Sequence, residues 1–352
     1  MIIDSIEVIK LELPMKYPYE VAYQSFDKAE NVLIRISAGG FNGWGCAAPD
    51  PHVTGEYPAD VLEKARSILP SFIGKDPFRK AVIMSHLKKE AAGAFSLWAA
   101  VDMALWDLLG KKADLPVWKI LGGYRERIRT SATIGICSLE DTIKSLKELQ
   151  QAGFFIVKLK GGQNVHEDLE RLKAVRMTSG DHFRIRFDAN QGYSSAEAIY
   201  FIENSLDLNI ELFEQPNSVA NPELLGVMTR KSITPIMADE SILSLLDAFH
   251  LVKKGLIDLM NIKIMKVGGI TEAIQVDAVA RSAGVEVMVG CMDESALGIA
   301  AGLHFALSRK NIRYADLDGH FGLKDDPAAG AVVYKKGYLY PAKGPGLGWA
   351  GL

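Results

Sequence analysis

The sequence of 352 residues lacks the features that mark several classes of protein. It has only three cysteines, an odd number without metal-ligand spacing, so neither a disulfide framework nor a zinc site is expected. No segment approaches the ~18 consecutive apolar residues of a membrane-spanning helix. The opening MIIDSIEVIK carries acidic residues where a signal peptide would be apolar. These absences predict a cytoplasmic protein with reduced cysteines and no membrane partner.

The chain also lacks an excess of charge of one sign. Its net charge is −3, from 43 acidic and 40 basic residues, which gives no reason to expect a nucleic acid as partner. The seven histidines follow neither a metal-binding nor a Ser-His-Asp pattern. The pairs Gly161-Gly162 and Gly268-Gly269 fall outside any full phosphate-loop motif. We therefore expect a small-molecule substrate, and assembly into a homo-oligomer.

A regular spacing of charged residues stands out against this background. Each member ends or directly follows a short apolar or β-branched run, and successive members are 24 to 28 residues apart. They are Lys160, Asp188, Glu214, Asp239 and Lys263. This interval fits one strand, one helix and two loops, the repeating unit of a (β/α) barrel. Because the carboxyl ends of barrel strands meet on one face, the five side chains are expected to share a site.

Three regions are predicted from the patterning. Residues 1–125 form a separate α+β domain, with strands Ile2–Leu13, Asn31–Ser37 and Gly43–Ala48 and a helix Phe95–Leu109 stopped by Gly110. Residues 126–320 form the barrel, whose first, seventh and eighth strands are Thr130–Ile136, Val285–Gly290 and Ile312–Asp316. Residues 321–352 are rich in glycine and proline, contain one strand at Ala331–Tyr334 and return to the first domain.

The spacing allows specific chemistry. Three carboxylates on adjacent strands provide the oxygen ligands that Mg²⁺ prefers, and a lysine on either flank would face the two sides of a bound group. Lys158 points the same way as Lys160, so its positive charge would lower the pKa of that lysine toward the range of a base. Arg186 lies two residues before Asp188, so on a strand both side chains point to the same side. This predicts a polar barrel interior in which opposite charges are paired across strands. Each residue alone is more typical of a solvated face or a salt bridge.

Two further acidic groups follow the last strands. Asp293 and Glu294 lie in GCMDES after the seventh strand, and Asp316 and Asp318 lie in DLDG at the eighth. One interpretation is structural, since aspartate is favoured at helix N-caps and in Asx turns. The other is a binding site for a cationic group of a substrate.

Taken together, these motifs resemble the enolase superfamily and, within it, the muconate lactonizing enzyme subgroup. The resemblance is carried by Lys-x-Lys at 158 and 160, Asp-x-Asn at 188 and 190, Glu214 before Gln-Pro, the pair Asp239-Glu240, and NIKIMKVGG around Lys263. It extends over essentially the whole chain, including DMALWDLLGKKADLPVWKILGG. Within the subgroup, the Asp-x-Asp at 316 and 318 is similar to that of the dipeptide epimerases.

The resemblance implies a modified (β/α)₇β barrel with an N-terminal capping domain. It implies Mg²⁺ on Asp188, Glu214 and Asp239, and Lys160 and Lys263 as the acid and base that invert the Cα of a dipeptide's C-terminal residue. The substrate-binding set would comprise Asp316, Asp318, Asp293, Asp50, Phe26, Lys158 and Thr133, with the two strand-8 acids on the α-ammonium. Asn190, Glu240 and Lys266 would support the ligands and the base from behind.

Specificity is also suggested by the resemblance. Family members that act on Ala-Glu dipeptides carry an arginine where Phe26 stands here, so an acidic side chain is disfavoured. The segments APDPHVTGE and GCMDES are similar to those of members acting on cationic dipeptides, and Asp50 and Asp293 would then pair with a Lys or Arg side chain. The alternatives are hydrophobic or Ala-X dipeptides, an N-acylamino acid racemase, an o-succinylbenzoate synthase or a muconate cycloisomerase, and a catalytically idle barrel.

Overall fold

The N-terminal part of the chain forms an antiparallel sheet covered by helices. The computed structural model describes residues 1–22 and 25–352. The sheet consists of β1 (Ile3–Glu20), β2 (Ser25–Ala38) and β3 (Phe41–Ala47), in that order. The helices are α1 (Pro58–Ile68), α2 (Lys80–Glu90), α3 (Phe95–Ala113) and the short α4 (Val117–Ile120), with a 3₁₀ turn at Leu69–Phe72. β1 and β2 run well beyond the predicted strands, so their hairpin reaches the mouth of the barrel.

Helix α3 joins the sheet to the barrel. Its residues are buried nearly all round, because one side packs on the sheet and the other on the barrel. β3 approaches it so closely that a methyl group on Gly43 or Gly45 would collide with backbone oxygens of α3. The prediction that Gly110 stops the helix is wrong, since the helix continues to Ala113. Gly110 instead leaves room for Gly346 of the C-terminal segment, whose Cα would lie 2.6 Å from an added Cβ.

The central part is an eight-stranded parallel sheet ordered as in a barrel, which confirms the predicted fold class. A two-residue strand β4 (Ile128–Arg129) precedes it. The barrel strands are β5 (Ala132–Ile134), β6 (Ile156–Lys160), β7 (Arg184–Asp188), β8 (Ile210–Glu214), β9 (Ile236–Ala238), β10 (Leu259–Lys263), β11 (Glu286–Gly290) and β12 (Ile312–Asp316). The helices after them are α5 (Leu139–Gln151), α6 (Val165–Ser179), α7 (Ser195–Ser205), α8 (Glu223–Lys231), α9 (Leu245–Lys253), α10 (Ile264–Val267), α11 (Ile270–Ser282) and α12 (Ala296–Ser308).

Seven strands are followed by helices and the eighth is not, within the described residues, which is the (β/α)₇β arrangement. Single 3₁₀ turns occur at Leu206–Leu208 and Ala329–Ala331. The first barrel strand is shorter than predicted. Of the predicted range Thr130–Ile136, only Ala132–Ile134 forms the strand that pairs with β6, and β4, which lies just before that range, pairs with the C-terminal hairpin. No helix in residues 1–22 and 25–352 has both the length and the apolar character that crossing a bilayer requires.

The C-terminal segment returns to the earlier parts of the molecule. It forms the hairpin β13 (Val332–Lys335) and β14 (Tyr338–Pro341), of which only the first strand was predicted. β14 pairs with β4, Leu323 packs with Leu13 and Met15 of β1, and Trp349 lies 5.0 Å from the ring of Trp44. These contacts attach the C-terminal segment to β1, to β3 and to the strand that precedes the barrel.

Candidate active site

Three carboxylates converge at the carboxyl ends of the middle barrel strands. Asp188 ends β7, Glu214 ends β8 and Asp239 directly follows β9. The parallel register places Asp188 beside Glu214 on neighbouring strands. All three are fully buried, and one oxygen from each lies within 4.8 Å of the others. Sequence spacing predicted this convergence, and the geometry is that of a three-oxygen metal site.

The electrostatics of this triad fit a divalent cation. Burial and the neighbouring Asp188 raise the pKa of Glu214 to about 8. Burial also opposes ionisation of Asp188 and Asp239, but the adjacent lysines hold the pKa of each below its usual range. The buried Oε2 of Glu214 and Oδ2 of Asp239 accept no hydrogen bond from a described residue, although ammonium groups lie 2.9 and 2.8 Å away. Crowded, incompletely bonded carboxylate oxygens are suited to binding Mg²⁺.

The two outer lysines stand on opposite sides of the triad. Lys160 ends β6, and its Nζ donates to Asp188 Oδ2 at 2.7 Å. Lys263 ends β10, and its Nζ lies 2.8 Å from Asp239 Oδ2. Burial lowers the pKa of Lys263, but Asp239 outweighs this effect and holds it well above the usual value. Because β7, β8 and β9 separate β6 from β10, a group held at the triad would have one ammonium on each side.

Lys158 lies deeper in the barrel than Lys160. Its Nζ is 2.8 Å from Asp316 Oδ2, 2.9 Å from Glu214 Oε2 and 3.0 Å from Asp188 Oδ2. Burial disfavours its charge, yet these carboxylates hold its pKa well above the usual range. Lys158 therefore neutralises the carboxylates between which it is buried, in addition to lying near Lys160.

The three residues expected to support the ligands do lie behind them. Asn190 donates its backbone N–H to Asp188 Oδ1 at 2.8 Å and its side-chain N–H to Glu240 Oε1 at 3.1 Å, which links the loops after β7 and β9. Burial and Asp239 raise the pKa of Glu240 to about 7. Lys266 in α10 donates to the backbone and the carboxylate of Asp239. Lys266 therefore pairs directly with an acid of the triad.

Two residues that hold the triad were not singled out in the sequence. Asn261 Nδ2 donates to Glu214 Oε1 at 2.8 Å. Gln215 Oε1 accepts the backbone N–H of Asp239 at 2.9 Å, and Gln215 adopts a positive φ of 35°. Asn261 precedes Lys263 by two residues on a buried strand, so period-two phase would have identified it as facing inward. Gln215 gives no comparable signal, because its contact depends on the turn after β8.

Arg171 of α6 holds the ends of the first two barrel strands. Its guanidinium donates to the carbonyl oxygens of Lys160 at 2.8 Å and Gly135 at 2.7 Å. Asp168, one turn earlier, lies 3.4 Å from Arg171 and accepts the backbone N–H of Gly162 at 2.8 Å. Such buried, charge-assisted contacts fix the backbone that carries Lys160.

Asp316, which ends β12, and Asp318, two residues later, lie together near the first barrel strand. Asp316 Oδ1 accepts the Ser131 hydroxyl at 2.6 Å, and its Oδ2 accepts Lys158 Nζ at 2.8 Å. Asp318 Oδ2 accepts the backbone N–H of Thr133 at 2.6 Å, and the thiol of Cys291 lies 4.0 Å from Asp318 Oδ1. Burial and Asp316 raise the pKa of Asp318 to about 7. Negative charge here is thus only partly compensated, as a cation-binding position requires.

The predicted specificity residues line the outer part of the same cavity, whose volume is about 1000 Å³. They are Phe26, Asp50 and Asp293. Asp50 Oδ1 also accepts the backbone N–H groups of His52 and Val53, at 2.7 and 3.0 Å, so one oxygen of Asp50 is engaged in an Asx turn. Glu294 is buried and accepts the N–H of Met292 at 3.3 Å, which leaves Asp293 as the acid of GCMDES that lines the cavity.

Comparison with known proteins identifies the family. Residues 5–122 match the model of the mandelate racemase/muconate lactonizing enzyme N-terminal domain, and residues 141–350 match the enolase C-terminal domain-like model. The chain belongs to the mandelate racemase/muconate lactonizing enzyme family of the enolase superfamily. The resemblance seen in the sequence motifs is therefore confirmed.

Relatives are similar over nearly their full lengths. The hydrophobic dipeptide epimerase of Enterococcus faecalis is 37% identical, with 99% of each chain covered. The structure of L-Ala-D/L-Glu epimerase from Bacillus subtilis, a substrate complex, has a TM-score of 0.96 at 35% identity, covering 99% of this chain and 98% of the other. A dipeptide epimerase from Methylococcus capsulatus, solved with Mg and L-Arg-D-Lys, has a TM-score of 0.94 at 35% identity and covers 99% of both chains.

These relatives are isomerases of dipeptides, which confirms the predicted enzyme class. Their substrates differ in the chemistry of the side chain: one is hydrophobic, one acidic and one cationic. Membership of this group therefore defines the type of reaction but leaves the side-chain preference to the residues of the cavity.

Proposed function

We propose that the protein is a Mg²⁺-dependent dipeptide epimerase in which Lys160 and Lys263 exchange the Cα proton of the C-terminal residue. The observation that carries this proposal is the placement of two ammonium groups on opposite flanks of the carboxylate triad, at 2.7 Å from Asp188 and 2.8 Å from Asp239. A planar carbanion between them would be open to protonation from either face. A two-base inversion requires one proton-transfer group on each face of this carbanion.

Asp188, Glu214 and Asp239 would hold the ion, supported by Asn190, Glu240, Asn261 and Lys266. Mg²⁺ bound there would supply positive charge next to the substrate carboxylate, where negative charge accumulates when the Cα proton leaves. With Asp188 and Asp239 engaged by the ion, these carboxylates would no longer hold the lysines in the charged form. One lysine would then remove the proton as a neutral amine, and the other, as an ammonium, would deliver a proton to the opposite face. The roles of the lysines reverse for the other epimer.

The other end of the dipeptide would bind at the end of β12, the eighth barrel strand. The substrate α-ammonium would be held by Asp318, whose Oδ1 lies 4.0 Å from the thiol of Cys291, with Asp316 nearby; both acids line the cavity. An N-acylamino acid or an o-succinylbenzoate precursor has no ammonium group to occupy this position. The partly compensated carboxylates therefore favour a dipeptide over the substrates of these related enzymes.

For the side chain of the C-terminal residue we propose a cation. Asp50, Asp293, Asp27 and Glu30 line the outer cavity, and Lys28 pairs with Glu30 at 3.2 Å. Negative charge therefore exceeds positive charge in this region, and Phe26 offers an apolar surface to the methylenes of a Lys or Arg side chain. The complex of the Methylococcus capsulatus relative with L-Arg-D-Lys supports this choice.

A hydrophobic side chain is the second candidate. Asp50 has one oxygen engaged in its own loop, and Phe26, Val53 and Met292 present apolar surface to the same cavity. The similarity to the hydrophobic dipeptide epimerase of Enterococcus faecalis points the same way.

The test is Cα deuterium exchange in D₂O with Mg²⁺, measured by mass spectrometry over a mixed dipeptide library. We expect exchange and epimerisation that need Mg²⁺ and are fastest with C-terminal Lys or Arg. Fastest exchange with Leu or Tyr would favour the hydrophobic candidate. Absence of exchange in every dipeptide, together with turnover of an N-acylamino acid, would refute the epimerase assignment. If calorimetry detected no binding of Mg²⁺, the result would support the alternative of a barrel without catalytic activity.

The division into residues 1–125, 126–320 and 321–352, and assembly into a homo-oligomer, stay predictions. Expression of residues 126–320 alone would test the first. Light scattering of the full chain would test the second.

A further inference from the structure

A continuous line of polar groups crosses the barrel interior from its floor to the active site. Glu211 Oε2 accepts Arg186 Nε at 2.7 Å, and Arg186 Nη1 donates to Ser131 Oγ at 3.2 Å. Ser131 Oγ donates to Asp316 Oδ1 at 2.6 Å, and Asp316 Oδ2 accepts Lys158 Nζ at 2.8 Å. The line connects β8, β7, the segment before β5, β12 and β6, which are elements on several sides of the barrel.

The direction of the central hydrogen bonds follows from the chemistry of the groups. A guanidinium only donates, so the Ser131 oxygen must accept from Arg186. The single proton of the hydroxyl then goes to Asp316, whose carboxylate only accepts. Ser131 is fully buried, and the other acceptor near its hydroxyl, Ala315 O, is farther away, at 3.5 Å. Arg186 thereby orients the Ser131 hydroxyl, and the hydroxyl orients Asp316.

Arg186 acts on Asp316 by a second route through the backbone. Its Nη1 also donates to the carbonyl oxygen of Ala315 at 2.8 Å, and Ala315 directly precedes Asp316. The guanidinium is 1% exposed and lies 5.5 Å from the ring centre of Tyr314 on the same strand. A buried charge of this kind is retained only where its donors are satisfied. Three of the contacts of Arg186 are thus made to β12 or to Ser131: the Ala315 carbonyl, the Tyr314 ring and the Ser131 hydroxyl.

We propose that Ser131 and Arg186 are positioning residues that fix the carboxylate of Asp316 between Lys158 and the substrate α-ammonium. This inference rests on the proposed function, because the ammonium belongs to the dipeptide. With Oδ1 held by Ser131 and Oδ2 facing Lys158, Asp316 keeps one orientation, and Asp318 follows it two residues later on the same side of the cavity. Binding of the ammonium then requires no rearrangement of Asp316.

The test uses three side chains of graded donor strength at residue 131. The wild-type serine, Ser131→Cys and Ser131→Ala provide a strong donor, a weak donor and none. We expect KM for a dipeptide, and its calorimetric Kd with Mg²⁺ present, to rise about tenfold in Ser131→Ala and less in Ser131→Cys, because a hydrogen bond to a charged group contributes about this factor. The value of kcat should change by less than about threefold. If residue 131 had only a structural role, KM would not increase in the order serine, cysteine, alanine, which is the order of decreasing donor strength.

Ser308→Ala is the matched control. Ser308 is also buried, but its hydroxyl donates only to Phe305 O in its own helix, so KM should stay at the wild-type value. KM and Kd equal to wild type in both residue-131 variants would overturn the positioning role. Wild-type exchange is measured first, and its absence would refute the proposed function. Wild-type exchange together with unchanged residue-131 variants would refute only the positioning of Asp316 by Arg186 through the Ser131 hydroxyl.

Discussion

The two ends of the cavity are built in different ways. At the metal end, Asp188, Glu214 and Lys263 are the last residues of parallel strands, and each is buried and bonded to residues of neighbouring strands. At the outer end, Phe26 belongs to a hairpin, and Asp50 and Asp293 belong to loops. The inner end is held by the sheet itself, while the outer end can vary without altering the barrel. This difference explains how relatives with one fold act on side chains of different chemistry.

The largest expected effect lies at the inner end. Lys160→Ala and Lys263→Ala should each reduce epimerisation by more than about 10³-fold, because each removes one of the two proton-transfer groups. Epimer ratios by NMR in D₂O would measure this, and one variant should still wash deuterium from a single epimer. Lys254→Ala, an exposed lysine paired with Glu223, is the control and should retain full activity. Interconversion of the epimers by both lysine variants would contradict the two-base assignment.

Removal of a triad charge should come next. Glu214→Gln should weaken Mg²⁺ binding by about 100-fold, since the metal loses a charged ligand while Asp188 and Asp239 remain. Calorimetric titration with MgCl₂ gives this affinity without any assay of activity. The exposed Glu203→Gln should bind Mg²⁺ as the wild type does. Equal affinities of Glu214→Gln and the wild type would place the metal elsewhere.

A smaller and selective effect is expected at the outer end. Asp293→Asn should lower kcat/KM about tenfold for dipeptides with C-terminal Lys or Arg, because a charge partner is lost. The value for Ala-Ala should change by less than twofold, which makes that substrate an internal control. If both substrates lost activity equally, Asp293 would act on the loop rather than on a cationic side chain, and the hydrophobic candidate would gain support.

Away from both ends, we expect an effect on stability alone. Burial lowers the pKa of His304 to about 3, so between this value and its unfolded pKa of about 6.5 the unfolded state binds a proton that the folded state does not. The stability contribution of neutral His304 is complete above pH 6.5 and falls as the pH drops below it, by up to about 1.4 kcal/mol per pH unit. Urea unfolding midpoints at pH 7.5 and 5.5 would show this loss.

His304→Gln is the comparison for this measurement. It removes the titrating group and should make the midpoint less sensitive to pH, with kcat unchanged at pH 7.5. His304 Nδ1 accepts the backbone N–H of Trp118 at 3.1 Å, and a glutamine oxygen offers an acceptor in its place. The same pH response in both proteins would assign the loss to other groups.

Much of the fold and of the inner end could be predicted because their signals are local. Buried strands of five residues that end in a charged residue recur at a near-constant interval, so both the barrel and the triad follow from periodicity. Gly110 shows the limit of local reasoning. As a helix-stop signal it was misleading, because a distant residue, Gly346, requires the space beside it. The two-residue strand β4 likewise gave no local signal, because it forms by pairing with β14, a strand about 200 residues later.

The amino-acid sequence alone determined the strand-helix alternation, the order of the five charged residues and the phase that turns them inward, since each depends on neighbours within one strand or one unit. The tertiary structure decided which carboxylate oxygens of the cavity are already engaged by the protein and which can contact a substrate. Ser131 takes one oxygen of Asp316, Thr133 takes one of Asp318, and the loop of Asp50 takes one of its own. The physical reason is that hydrogen-bond satisfaction is a property of the whole buried network, in which each donor can be used by only a few acceptors.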